Sequence, residues 1–99
     1  MEALGIALSG MQSAGVRVAV SAHNVANLMT EDFRPQRAVQ TSLPNGGTEA
    51  RLQQTDRPEP VSVAREVVGQ TLASVQYDAS AKVFKVGADM KGTLIDMLG

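Results

Sequence analysis

The sequence contains no cysteine and no tryptophan, and its aromatic residues are one tyrosine and two phenylalanines. The absence of cysteine excludes disulfides, thiolate metal sites and cysteine nucleophiles. With few aromatic rings, the core must be built from Ala, Val, Leu and Met, whose side chains fill the narrow seam between paired helices. We therefore expect a helical protein rather than a thick β-sandwich.

Charge of one sign is also lacking, because nine Lys and Arg face ten Asp and Glu, for a net charge of −1. This balance gives no electrostatic footprint for nucleic acid or an anionic membrane. His23 is the only histidine, and a metal site needs several convergent ligands. No serine has a neighbouring base and orienting residue. We expect no enzymatic activity, no cofactor, no metal, no nucleic-acid partner and a solvated His23.

No long uninterrupted hydrophobic run is present. Gln12, Arg17 and His23 break the longest apolar stretch before it reaches the ~18 residues of a membrane-spanning helix. Glu2 stands where a secretory signal peptide carries basic residues. We expect neither membrane insertion nor a cleavable signal, so export would depend on another kind of signal.

Apolar or small residues recur at steps of four and three through the first 29 residues, which predicts one stripe along a helix. The stripe consists of Leu4, Leu8, Met11, Gly15, Val18, Ala22, Val25 and Met29. Its average spacing of about 3.5 residues is typical of a coiled-coil seam. A helix from Ala3 to Leu28 would be about 39 Å long at the usual rise per residue.

A second stripe begins after residue 60 and follows an eleven-residue pattern, which favours straight or weakly right-handed packing. Its members are Val68, Leu72, Val75, Ala79, Val83, Val86, Met90, Leu94 and Met97. A helix from Val61 to Leu98 would run about 57 Å, far beyond a compact chain's radius of gyration of ~13 Å. The molecule should be elongated, and the surplus of the second helix should find its partner on another chain.

Residues 30–60 hold all four prolines and the Asn45-Gly46-Gly47 run. These residues prevent a useful helix, and the polar segments 36–43 and 48–55 around the turn predict a short β-hairpin. The predicted fold is mainly α, with an amino-terminal helix over 1–29, a turn-rich middle over 30–60 and a carboxy-terminal helix over 61–99. The two long helices should pack as an antiparallel hairpin or coiled coil, all within a single elongated domain.

Three glycines, Gly5, Gly10 and Gly15, interrupt the first predicted helix on different faces. Each costs about 1 kcal/mol relative to alanine in a helix interior. A weak, fraying helix is one interpretation. We favour close approach of neighbouring backbones on more than one side, because packing can sustain such a cost.

Two motifs at the ends of the chain resemble those of bacterial flagellar rod and hook proteins. The amino-terminal motif contains Ser9-Gly10-Met11 and Ala22-His23-Asn24-Val25-Ala26-Asn27, followed by a turn that ends at Phe33. The family's turn is Asn-x-x-Thr-Pro-Gly-Phe, and Glu31-Asp32 replace its Pro-Gly here. The carboxy-terminal motif is Tyr77-Asp78-Ala79-Ser80-Ala81-Lys82-Val83. The matching positions are Ser9, Gly10, Met11, Asn24, Asn27, Phe33, Tyr77 and Lys82.

The resemblance covers most of residues 2–34 and 57–98, and the short middle makes the chain similar to a minimal, proximal-rod-like member. It implies a structural subunit of the flagellar basal body rod, exported by the flagellar type III apparatus to the periplasmic rod without a cleavable signal. The expected partners are other copies of the chain in a homo-oligomer, other axial proteins and the export apparatus.

The implied assembly seam combines the large apolar residues of both stripes. They are Leu4, Leu8, Met11, Val18, Val25, Val68, Leu72, Val75, Val83, Val86, Met90, Leu94 and Met97. An alternative is a stand-alone cytoplasmic helical-hairpin interaction module related to rod proteins. The short middle segment and the missing Pro-Gly favour that alternative.

Overall fold

A computed structural model describes residues 2–98. Helix α1 spans Glu2–Ala26, strand β1 Gln36–Ser42, strand β2 Thr48–Gln54 and helix α2 Val63–Leu98. The molecule measures 62 × 24 × 15 Å, and its Cα radius of gyration of 17.3 Å exceeds the ~13 Å of a compact chain of this length. The mainly helical fold, with a hairpin between two antiparallel helices and an elongated shape, is the one predicted.

Side chains at the helix ends explain why both helices are slightly shorter than 1–29 and 61–99. The Asn27 side chain donates a hydrogen bond to the carbonyl of His23 at 2.9 Å and accepts one from the Thr30 hydroxyl at 3.1 Å. These bonds satisfy groups that the end of α1 leaves free. At the start of α2, the Arg65 amide donates to the Ser62 hydroxyl at 3.3 Å, as in an N-cap. Residues 1 and 99 lie outside the described range.

The turn after α1 contains Glu31-Asp32 and has one residue with a positive φ. Asp32 has a φ of 54°, in the left-handed region where glycine is most easily accommodated and Asp is tolerated better than most residues. The Phe33 ring then packs back on His23, with 5.6 Å between ring centroids. His23 itself is exposed, as expected from the sequence.

The β-hairpin packs against α1. Strands β1 and β2 are antiparallel, paired from Gln36 opposite Gln54 to Ser42 opposite Thr48. The Thr48 amide donates to the Ser9 hydroxyl at 3.1 Å, and the Ser13 and Thr48 hydroxyls lie 3.0 Å apart. This support is what a two-stranded hairpin needs, since it is marginal alone. At the tip of the hairpin, Pro44, Asn45 and Gly46 are exposed, whereas Gly47 is buried against Ser9.

The core is thin and partly polar. Its buried apolar side chains are Ala7, Ala14, Val20 and Ala73. Four other side chains are buried equally well but are polar or charged, namely Ser13, Ser21, Asn24 and Glu66. Small residues allow the helices to approach closely, and the polar ones are acceptable because each finds a hydrogen-bond partner.

One side chain joins three elements of the fold. Asn24 donates to the Gln36 carbonyl at 2.9 Å and to the Glu66 carboxylate at 3.1 Å, and it accepts from the Gln36 amide at 2.8 Å. It is 1% exposed. The side chain of Asn27 bonds within the end of α1, whereas that of Asn24 bonds to other elements. Asn24 is instead the tertiary junction of α1, β1 and α2.

Replacing Asn24 by alanine should lower the free energy of unfolding by about 2–4 kcal/mol, because buried groups of Gln36 and Glu66 lose their partner. Urea denaturation would measure the loss. Asn27→Ala is the matched control, and we expect it to cost less than about 1 kcal/mol because its bonds lie at an exposed helix end. Equal losses in the two variants would contradict the assignment of Asn24 as the junction.

Candidate assembly surface

Most of the predicted seam faces solvent in the single chain. On α1, Leu4 and Met11 are half-buried, whereas Leu8, Val18 and Val25 are exposed. On α2, all eight seam residues are between 54% and 77% exposed. They are Val68, Leu72, Val75, Val83, Val86, Met90, Leu94 and Met97. The apolar stripes are therefore surfaces of this molecule, and they run along both helices.

The two apolar stripes do not face each other where the helices overlap. The helices meet on another face, where Gly10 lies against Ser80 and Gly87 lies against the Leu4 side chain. Leu4 is a seam residue that contributes to this contact. The rotation of the helices follows from buried polar groups, since Asn24 and Glu66 must turn toward each other to stay hydrogen-bonded.

Polar side chains continue this contact along the helix pair. The Ser21 hydroxyl donates to the Glu66 carbonyl at 3.2 Å, and the Gln70 side chain donates to the Ser21 hydroxyl at 2.9 Å. Ser21 is 4% exposed, so these bonds are shielded from water. They hold α1 and α2 together where a coiled coil would use apolar packing.

Gln76 forms a second polar junction near the middle of the pair. Its side-chain oxygen accepts from Arg17 at 2.7 Å and from the Gln40 side chain at 2.9 Å. Its side-chain nitrogen donates to the Gly10 carbonyl at 3.2 Å. One glutamine thus connects α2 with both α1 and β1.

The sequence analysis missed this polar face, although a signal for it exists. Small and polar residues on α1 also follow steps of three and four, through Gly10, Ser13, Arg17, Ser21 and Asn24. The apolar stripe beside them is the stronger pattern, and periodicity alone does not tell which face meets the same chain.

The motif residues divide into two groups. In the amino-terminal motif, Ser9 supports the hairpin, Gly10 allows the approach of α2 and Asn24 forms the junction. In the carboxy-terminal motif, Tyr77 is 49% exposed and Lys82 is exposed. The first motif therefore builds the fold, whereas the matching positions Tyr77 and Lys82 of the second lie on the surface and only its Ser80 meets Gly10.

The chain exposes far more surface than its mass requires. Its accessible surface is 6852 Å², whereas a compact monomer of 10.4 kDa would expose about 5,400 Å². The excess of about 1,450 Å² is larger than the ~800 Å² that each partner contributes to a standard protein interface. The large apolar side chains of both stripes are part of this exposed surface, and contiguous exposed apolar patches are typical of proteins that associate.

Within residues 2–98 no group of three or more His, Asp or Glu side chains is arranged to hold a metal ion. Helix α1 is long and apolar enough to cross a membrane by length and composition alone. Core helices of soluble proteins and signal sequences meet the same criterion, so it is weak evidence. Its buried Asn24 and Ser21 are bonded to other elements of the fold.

Comparison with models of known protein families gives no match, and comparison with curated proteins gives no significant relative. The resemblance to flagellar axial proteins therefore depends on the short motifs at the two ends of the chain. The packing of the helices and the exposed stripes are independent of that resemblance.

The close contact at Gly10 predicts different effects of alanine at two glycines of the same helix. Gly15→Ala should raise the free energy of unfolding by about 0.5–1 kcal/mol, because Gly15 has open space around it and alanine favours helix. Gly10→Ala should lower stability, because its Cβ would collide with the Ser80 side chain. Thermal unfolding measures both variants. Adding Ser80→Ala, which removes the hydroxyl that meets the new Cβ and keeps a good helix former, should relieve the loss in Gly10→Ala. Equal stabilisation at both glycines would contradict the close contact.

Proposed function

We propose that this chain is a structural subunit of the bacterial flagellar basal body rod, self-assembling through its terminal helices and without enzymatic activity. The observation that carries the proposal is the inverted distribution of side chains. Small and polar residues hold the two helices together, whereas the apolar stripes of both helices lie outside. A solitary globular domain places its apolar face inside.

Two apolar surfaces on one elongated subunit allow it to contact several neighbours. Polymers require such heterologous contacts, in which different surfaces of identical subunits meet. In this proposal the stripe of α1 and the stripe of α2 pack against the helices of other chains as coiled coils. Gly5 and Gly15 have no atom near the position of a Cβ, so neighbouring backbones have room to approach there.

The thin core supports the proposed route of export. The flagellar type III apparatus would pass the chain in an unfolded form, without a cleavable signal, into the periplasmic rod. Four buried apolar side chains and no disulfides give the fold little resistance to unfolding. The partners in this proposal are further copies of the chain, other axial proteins and the export apparatus.

A charge on the α2 stripe should separate assembly from folding. Leu72 is 54% exposed, so Leu72→Asp should change the free energy of unfolding of the purified chain by no more than about 0.5 kcal/mol. In the assembled rod, the carboxylate would enter an apolar contact at a cost of several kcal/mol. We expect secreted protein that is absent from isolated basal bodies, and a loss of motility.

Ser74→Asp is the matched control, because Ser74 is exposed on the same helix but lies off the stripe. It should leave motility and incorporation near normal. Normal motility of Leu72→Asp would show that the α2 stripe is not the seam. If the unaltered protein stayed in the cytoplasm of flagellated cells and never entered basal bodies, the rod proposal would fail in favour of the cytoplasmic interaction module.

A further inference from the structure

The last part of α2 has no partner within the described chain. Gly87 lies against Leu4, close to the start of α1, so the helix from Met90 onward extends past α1. Its large apolar side chains Met90, Leu94, Ile95, Met97 and Leu98 are 54–89% exposed. Most helical stability in proteins comes from packing an apolar face. We therefore expect this segment to pack against another chain.

The α2 stripe is nearly symmetric about Val86. Val83 and Met90 stand three and four residues from it, Ala79 and Leu94 seven and eight, and Val75 and Met97 eleven on either side. Two antiparallel copies centred on Val86 would therefore bring these residues together in successive layers. Val86 would meet Val86 of the partner subunit, and each projecting segment would lie against residues 75–83 of the other chain.

Charged residues beside the stripe distinguish the register centred on Val86 from other registers of an antiparallel pair. Within residues 2–98 the structure contains ion pairs between Arg37 and Glu59 and between Arg51 and Glu49, so Asp89 does not pair with Lys85 of its own helix. With Val86 at the centre, Asp89 lies level with Lys82 and Lys85 of the partner subunit. Opposite charges at that spacing are attractive.

Other registers are less favourable. A pair centred on Val83 would set Lys82 against Lys82 of the partner subunit, and like charges repel. A pair centred on Ala79 would place a small side chain in the middle and leave Met97 without a layer. The register centred on Val86 also has like-charge contacts, between Asp78 and Asp96 of the partner subunit and between the two copies of Lys85. These three residues lie farther around the helix from the stripe than Lys82 and Asp89, so the attraction between Asp89 and Lys82 of the partner subunit acts over the shorter distance.

We propose that the unassembled protein forms a two-fold antiparallel dimer through residues 75–97 of α2. The large stripe residues from Val75 to Met97 are 54–77% exposed in the single chain, so this face is open to a second copy. A two-fold contact is closed and does not extend. If the proposed function holds, the dimer covers much of the α2 seam and keeps subunits from polymerising before they are exported.

Single cysteines test the dimer and its register, because the natural chain has none. Val86→Cys should form an intermolecular disulfide under mild oxidation. Val75→Cys and Ala79→Cys should not, since like positions would lie about 33 and 21 Å apart along the helix axes, and a disulfide needs Cα atoms within ~7 Å. The double variant Val75→Cys/Met97→Cys should cross-link two chains.

Each other pattern overturns the proposal. A disulfide at Ala79 without one at Val86 indicates the shifted register, and a disulfide at Val75 alone indicates a parallel pair. A monomer in sedimentation at every accessible concentration excludes the dimer. All positions used are exposed in the single chain or lie on its exposed stripe, so these substitutions leave the fold intact.

The charge pairs give an independent measurement. Asp89→Lys should raise the dimer dissociation constant by about 3–10-fold, because an exposed charge pair is lost on both sides of the two-fold axis. Adding Lys82→Asp and Lys85→Asp should restore affinity, whereas Asp56→Lys, the same change in a loop, should have no effect. An unchanged dissociation constant in Asp89→Lys would overturn the register.

The outcome separates this inference from the proposed function. Leu72 lies outside residues 75–97, which form the dimer contact. The Leu72→Asp variant should therefore still dimerise while failing to enter basal bodies. If the chain never dimerises but enters basal bodies normally, only the dimer inference is refuted. If it forms a stable dimer of this register but never reaches basal bodies, only the proposed rod function is refuted.

Discussion

Asn24 ties α1 to both β1 and α2, because its one side chain bonds to the backbone of β1 and to the carboxylate of Glu66 on α2. These bonds are shielded from water, so they determine how far each helix is rotated about its own axis. With Asn24 and Glu66 turned inward, Ser21, Gln70 and Gln76 fall on the contact face and extend it. With this face turned inward, the apolar stripes of both helices face solvent.

The result is a fold whose specificity and apolar surface lie in different places. Hydrogen bonds specify how the chain folds on itself, and each contributes only modest net stability. The apolar area that would contribute most to stability remains available for other chains. Folding and association therefore depend on different residues, and substitutions can affect one without the other.

Much of this architecture could be predicted from the sequence. The steps of three and four predicted both helices, and the Pro and Gly residues predicted the hairpin between them. The contact face could not be predicted in the same way. A stripe of Val and Leu indicates that something will cover it, and nothing in its period tells whether the cover is the same chain or another.

The unequal helices also have a mechanical consequence. At one end of the molecule the chain passes from α1 through the Asp32 turn, and at the other a single helix projects beyond its neighbour. Subunits with one blunt end and one stepped end overlap when they stack. A bending force on such a stack is carried by helices that cross each joint, and it does not concentrate at a flat boundary between subunits.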